Sequence, residues 1–342
     1  MPSSLRTAAC AGLSTALGLL AACSSTAPSA PKAGSLPASS SAPATPAYQV
    51  VNLMPAFEEF WAQAKSKDMP TQATLFGQLL ADRYPEVYNR DVLGGPPDVE
   101  FTATLPKRYP AVQARIAPKM EVVLRLGRQI GSDLPRYEAN FRKTFPGLDY
   151  SGRIYFLYSL GAFDGGTRTV KGQLALLFGL DMMAYVYGEE ANPEPFFHHE
   201  LFHIYHSQFS GEGGTLAAAL WREGLATYAA HVLNPTAAGV NLFGLPRNTP
   251  ERTRAELPRY VRAMRAVLDS EKKDDYARYF LGGMDEQAET PARSGYYIGY
   301  LVAEKLARRH TLLDLARAQL GQLRPEIDQA LQELEQAAVA KP

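Results

Sequence analysis

The sequence predicts a predominantly helical α+β protein with a small sheet placed just before a chemically dense helix. Three observations predict it. From Tyr48 to about Phe145, apolar residues recur at three- and four-residue spacing, the helical period. Near Gly152 the pattern changes to short runs rich in β-branched and aromatic residues, bounded by glycine clusters. Helical spacing returns at Pro193 and continues to the end.

Taken in order, residues 1–22 read as an export signal: Arg6 is the early charge and Ala8 to Ala22 are apolar or small, too short for an ordinary membrane span. The stretch closes on Leu20-Ala21-Ala22-Cys23, which resembles the bacterial lipoprotein processing box. That resemblance implies cleavage before Cys23, lipidation of its thiol, and residence in a bacterial cell envelope. Ser24 and Ser25 follow the cysteine, and the resemblance to bacterial lipoproteins that lack an acidic residue there implies the periplasmic face of the outer membrane in a Gram-negative source. Cys10 leaves with the signal, so the mature domain is expected to hold neither a free thiol nor a disulfide. Residues 24–47 are almost entirely Ser, Ala, Pro and Thr, a composition that cannot bury enough apolar surface to offset its ordering entropy, and they read as a tether.

Residues 48–150 read as a helical lobe. Phe57-Glu58-Glu59-Phe60-Trp61 and Leu75 to Leu80 carry the helical period, Gly94-Gly95-Pro96-Pro97 is a break, and Ile116 to Phe141 resumes with interruptions around Gly131 and Pro135. Residues 151–342 form the second region. Ile154 to Tyr158 reads as a strand, Gly161 to Gly166 as a turn, and Val170 to Phe178 as a second strand. Thirty-five basic residues balance 35 acidic ones, so no global charge attracts nucleic acid or anionic lipid, and membrane contact is expected through the lipid anchor only.

The chemistry concentrates in Phe196-Phe197-His198-His199-Glu200-Leu201-Phe202-His203-Ile204-Tyr205-His206, introduced by Pro193 and Pro195 and closed by Ser210-Gly211. Residues four apart on a helix share one face, so His199 and His203 can converge on one ion with Glu200 beside them as general base. His206 continues that stripe, but seven residues of helix rise about 10 Å, too far for the same ion, and it reads as core or support. His198 points roughly 100° away from His199. A metzincin would need Gly at 206 and His at 209, where the chain has His206 and Phe209. A catalytic zinc needs a third protein ligand. With 19 residues between His203 and Glu223, Trp221-Arg222-Glu223-Gly224 offers a carboxylate on a following helix, for which Thr215 is the expected N-cap.

With Glu223 in place, the chain resembles the gluzincins, the superfamily of thermolysin and the aminopeptidase-N-like enzymes, and within it the predicted zinc-dependent proteases of the peptidase-MA type. The resemblance covers roughly residues 150–310. It implies a zincin-like catalytic domain, Zn2+ held by His199, His203 and Glu223, Glu200 as base, and hydrolysis of a peptide or protein substrate by zinc-activated water. It also implies that the sheet offers an edge strand to the substrate, for which Thr169 to Leu180 is the candidate. Ser294-Gly295-Tyr296-Tyr297-Ile298-Gly299 resembles the Tyr-x-x-Gly helix start of aminopeptidase-N-like enzymes, which implies that the Tyr296 hydroxyl stabilises the oxyanion, with Tyr297 next in line. Gly161-Ala162-Phe163-Asp164-Gly165 matches their amine-binding segment too loosely to carry an exopeptidase role. Thr227 stands where thermolysin-like enzymes place an Asp that braces a metal histidine, leaving that brace without an obvious donor. Two other functional classes fit the same residues: a non-catalytic lipoprotein that binds a peptide or envelope protein on this scaffold, and a zinc hydrolase of a non-peptide amide or ester.

Overall fold

The computed structural model describes residues 48–211, 213–281 and 288–336. The expected signal, Cys23 and the tether lie outside the described residues. The described residues cluster as one compact unit. The architecture is the expected helix-dominated α+β one, with a single four-stranded sheet among the described residues. Among those residues no helix is long and apolar enough to cross a membrane.

The sheet comprises β1 (Gln49–Asn52), β2 (Arg153–Leu157), β3 (Gly165–Val170) and β4 (Gln173–Gly179). Its order is β1-β2-β4-β3, parallel except for the antiparallel β3–β4 hairpin. Ile154 to Leu157 and Ala175 to Gly179 are buried throughout, as expected of central strands covered on both faces. Two expectations are corrected here. The opening of the region read as wholly helical supplies β1, which pairs with β2 from Gln49↔Arg153 onward. The segment Thr169 to Leu180 is not the edge strand. It holds the last residues of β3, the turn at Lys171-Gly172, where both residues take positive φ, and then β4, a central strand between β2 and β3. The edge belongs to β3, whose Gly-Gly-Thr-Arg-Thr sequence offers little apolar signal.

Helices α1 (Met54–Ala64), α2 (Met69–Phe76), α3 (Arg90–Leu93), α4 (Phe101–Ile116) and α5 (Met120–Thr144) follow β1. Phe57 of α1 stacks on Tyr158 just beyond β2, with ring centroids 4.3 Å apart. The 25-residue α5 runs without a break through Gly131 and Pro135. Proline there forfeits one backbone hydrogen bond, but Val123, Leu126, Ile130, Leu134, Tyr137 and Phe141 bury one continuous face. At about 1.5–3 kcal/mol per buried large side chain, that face outweighs the proline.

After β4 come α6 (Leu180–Tyr187), α7 (Pro193–Ser210), α8 (Leu216–Leu233), α9 (Val240–Phe243), α10 (Thr249–Ala255), α11 (Leu257–Arg265), α12 (Lys273–Phe280), α13 (Ser294–Leu306), α14 (Leu312–Arg317) and α15 (Leu320–Gln336). Phe197 seats α7 against the sheet through Phe178, centroids 5.9 Å apart. Helices α8 and α13 cross where Gly224 faces Gly299. A Cβ on Gly224 would stand 2.2 Å from the Gly299 carbonyl carbon, so the contact admits backbone only.

Candidate metal centre

Helix α7 begins where the sequence puts it: Pro193 occupies the first turn and the Asn192 side chain accepts the Glu194 N–H. Gly211, at φ +70°, ends it. Thr215 caps α8 by accepting the Ala218 N–H. With α7 and α8 packed side by side, His199, His203 and Glu223 bring one ligand atom each into a cluster, all within 4.8 Å of one another. The His199 and His203 Nε2 atoms are 3.0 Å apart, and Glu223 Oε2 lies 3.5 Å from the first and 3.2 Å from the second.

Those spacings test whether the residues suit zinc. Four ligands at about 2.0–2.1 Å around a tetrahedral ion stand about 3.3 Å from one another, and the observed triangle matches that edge. The donor set, two imidazoles and one carboxylate, is that of a catalytic site with an open position. Glu223 is 8% exposed. Burial alone would push its carboxyl up, but the charges and hydrogen bonds of His203 and His199 overcome this and hold it well below the usual range. An ionised carboxylate is the form able to ligate a metal. Arg222 Nε donates to the other Glu223 oxygen at 3.3 Å.

Glu200, half-buried beside the cluster, has its carboxyl pushed up to about 7. Burial is the main cause, the His199 charge opposes it, and the Glu223 and Asp164 carboxylates add to it. A carboxylate poised near neutrality is suited to accept and return a proton.

Residues 181–319 match the family model of a predicted Zn-dependent protease (DUF2268). That span contains His199, Glu200, His203, Glu223 and Tyr296, and together with the cluster it supports a zinc-protease-like family. No curated protein and no solved structure matches the chain.

Tyr296 enters from the start of α13, its ring centroid 6.3 Å from that of His199. Burial raises its hydroxyl pKa, so the phenol stays protonated and can donate. Tyr297 faces elsewhere: its hydroxyl accepts from Arg254 Nε and Nη2 at 2.9 and 2.7 Å and its ring packs on Phe243. The two remaining histidines of the motif serve the fold. His198 Nε2 donates to the Tyr137 carbonyl of α5 at 3.0 Å while its Nδ1 accepts from Asn234 at 2.9 Å. His206 Nδ1 donates to the Ala316 carbonyl of α14 at 2.7 Å. Thr227 braces no histidine; its hydroxyl donates to the Glu223 carbonyl within its own helix. His203 Nδ1 is buried without a partner among the described residues.

Three neighbours of the cluster escape a reading of sequence alone. Asp164 lies close enough for its charge to bear on Glu200, and accepts from the Tyr187 hydroxyl at 3.1 Å. Its loop is fastened by Asp181, fully buried, which accepts from Ser159 N–H, Ser159 Oγ and Gly161 N–H at 2.6, 2.8 and 2.8 Å. Arg168 of β3 feels the Glu200 charge. Arg293, immediately before α13, lies with its guanidinium 4.2 Å from the Tyr296 ring centroid. The only signal for Asp164 and Arg293 is proximity in sequence to motifs already singled out, since Asp164 follows the Gly-Ala-Phe run and Arg293 precedes Ser294-Gly295-Tyr296, and Arg168 has none. A surface cavity of about 440 Å³ between α11, α12 and residues 288–292 is lined by none of them.

Proposed function

We propose that the chain is a zinc-dependent peptidase in which His199, His203 and Glu223 hold the metal and Glu200 is the general base. The observation that carries the reading is the ligand triangle, with edges of 3.0–3.5 Å, beside a glutamate whose carboxyl is pushed up to about 7. A zinc ion in this set supplies Lewis-acid polarisation of a carbonyl and acidifies water near neutral pH. Glu200 takes the proton of the attacking water and returns it to the leaving amine, a cycle that needs a carboxyl able to change state near pH 7. Tyr296, kept protonated by burial, donates its hydroxyl to the developing oxyanion. The outer side of β3, unpaired within the sheet, offers backbone groups to an extended peptide, and Phe196 against Gly165 ties that strand to the first turns of α7.

The match of residues 181–319 to a predicted Zn-dependent protease family supports this reading over non-catalytic peptide binding and over hydrolysis of a non-peptide amide or ester. Elemental analysis of the purified full-length protein tests the metal: about one zinc per chain, lost in His199→Ala and Glu223→Ala while circular dichroism is unchanged. Absence of metal from wild-type protein supplied with zinc removes the catalytic reading. Anchoring at Cys23 to the envelope belongs to the same proposal. Its test is incorporation of labelled fatty acid, which Cys23→Ser should abolish.

A further inference from the structure

Arg293 is held at the margin of the cluster at three local costs, although the charges of Asp164 and Glu223 favour its cation from a distance. Its backbone sits in the left-handed region, φ +59°, which side chains other than glycine rarely adopt. It occupies the N-cap position of α13 without a side-chain cap, where the positive end of a helix disfavours a further cation. Its Nε is buried without a hydrogen-bond partner, and no described carboxylate forms an ion pair with it. Of the neighbouring acids, Asp164 accepts from Tyr187 and Gly165, Glu223 is engaged by His199, His203 and Arg222, and Glu200, whose carboxyl feels the Arg293 charge, forms no ion pair with it.

The guanidinium is nonetheless fixed. It stacks on Tyr296 from one side, and Gly244 closes on it from another, where any Cβ would meet Cζ, Nε and Nη2 at 3.3 Å. Stacking holds a guanidinium plane and leaves its edge open, and that edge is a fork matched to the two oxygens of a carboxylate. An anion placed there would relieve the unpaired donor and the helix end together.

We propose that Arg293 is a specificity-determining residue that pairs with a carboxylate carried by the substrate close to the scissile bond. The inference rests on the peptidase reading above. Two sources present this group, the free C-terminus of a peptide and an Asp or Glu side chain.

The test uses zinc-loaded full-length protein and matched peptide pools: neutral with an amidated end, neutral with a free end, and Glu-containing with an amidated end. Wild type should cleave one carboxylate-bearing pool with kcat/KM at least about tenfold above the neutral amidated pool, chiefly through KM, the scale expected of a charge-assisted bidentate contact. Which pool is favoured identifies the source. Arg293→Gln should bring the ratio close to one, and Arg293→Lys, which keeps the charge but not the fork, should leave it in between. A wild-type ratio near one overturns the assignment, as does a ratio that survives Arg293→Gln. The same pools titrated calorimetrically into Glu200→Gln protein separate the two readings. Carboxylate preference in binding without hydrolysis by wild type removes the peptidase reading alone, whereas equal affinities overturn the role of Arg293.

Discussion

Helix α7 carries four histidines, and the contrast between its two pairs explains more than the motif does. His198 and His206 are 0% and 2% exposed, and each donates to a main-chain carbonyl, one on α5 and one on α14. Burial pushes both down to about 4, so both are neutral struts that fasten α7 to its neighbours. His199 and His203 instead turn their Nε2 atoms toward each other and toward Glu223. The lesson is that a histidine's task is read from what its nitrogens face. A ring closed by carbonyls is structural, and rings that converge on a carboxylate form a set that could hold a metal.

Glu200→Gln should retain zinc and lose peptide hydrolysis by about 10³-fold or more, near 4 kcal/mol of barrier, in a steady-state assay on unstructured peptides. A variant within tenfold of wild type would rule Glu200 out as the base. Next, His203→Ala should abolish stoichiometric zinc with little loss of stability in the metal-free protein, whereas His206→Ala should keep zinc and cost about 2–4 kcal/mol in denaturant unfolding. Equal zinc loss in both would erase the distinction between the pairs.

The third prediction concerns acid. A histidine whose folded pKa lies below its unfolded value of 6.5 contributes stability that is present above 6.5 and is lost as pH falls through about 4. The metal-free protein should therefore lose about 2–3 kcal/mol for each of His198 and His206 between those limits, measured by unfolding at a series of pH values. Glu200 runs the opposite way. Its folded pKa of about 7 lies above the ordinary value of 4.5, so its contribution is full below 4.5 and is lost as pH rises through 7. Metal-free Glu200→Gln should accordingly be more stable than wild type at pH 8, by about 1–2 kcal/mol, and the advantage should vanish below pH 4.5. Finally, Gly224→Ala should cost about 1–3 kcal/mol by forcing α8 and α13 apart, and should weaken zinc binding through Glu223 while leaving the His198 and His206 contacts intact.

What the sequence made legible follows from how local each signal is. His199, Glu200 and His203 share one helix turn, and Thr215 marks the start of the helix that brings Glu223, so spacing and capping alone describe them. The helices with long apolar stripes were equally plain. Strand β1 is four residues and shows no period, and β3 is a glycine-rich edge with one buried residue, so neither stands out until the sheet is assembled. Which strand lies at the edge depends on the order β1-β2-β4-β3, a non-local property. The short α12 and α14 carry too few turns to announce themselves. Asp164 and Arg293 reach the cluster from loops, and no spacing rule connects them to α7.

The Gly224–Gly299 contact has a consequence for substrates. Glu223 is next to one glycine and Tyr296 lies three residues before the other, so ligand and hydroxyl ride on two rods touching main chain to main chain. Such a junction works as a calliper with a locked jaw: its opening is set by the thickness of the polypeptide and not by any rotamer. In the proposed peptidase that junction would set the thickness of substrate admitted at the scissile bond. Asp164 and Arg293, delivered by loops, lie outside that locked junction, and under the proposal above Arg293 would adjust what is accepted.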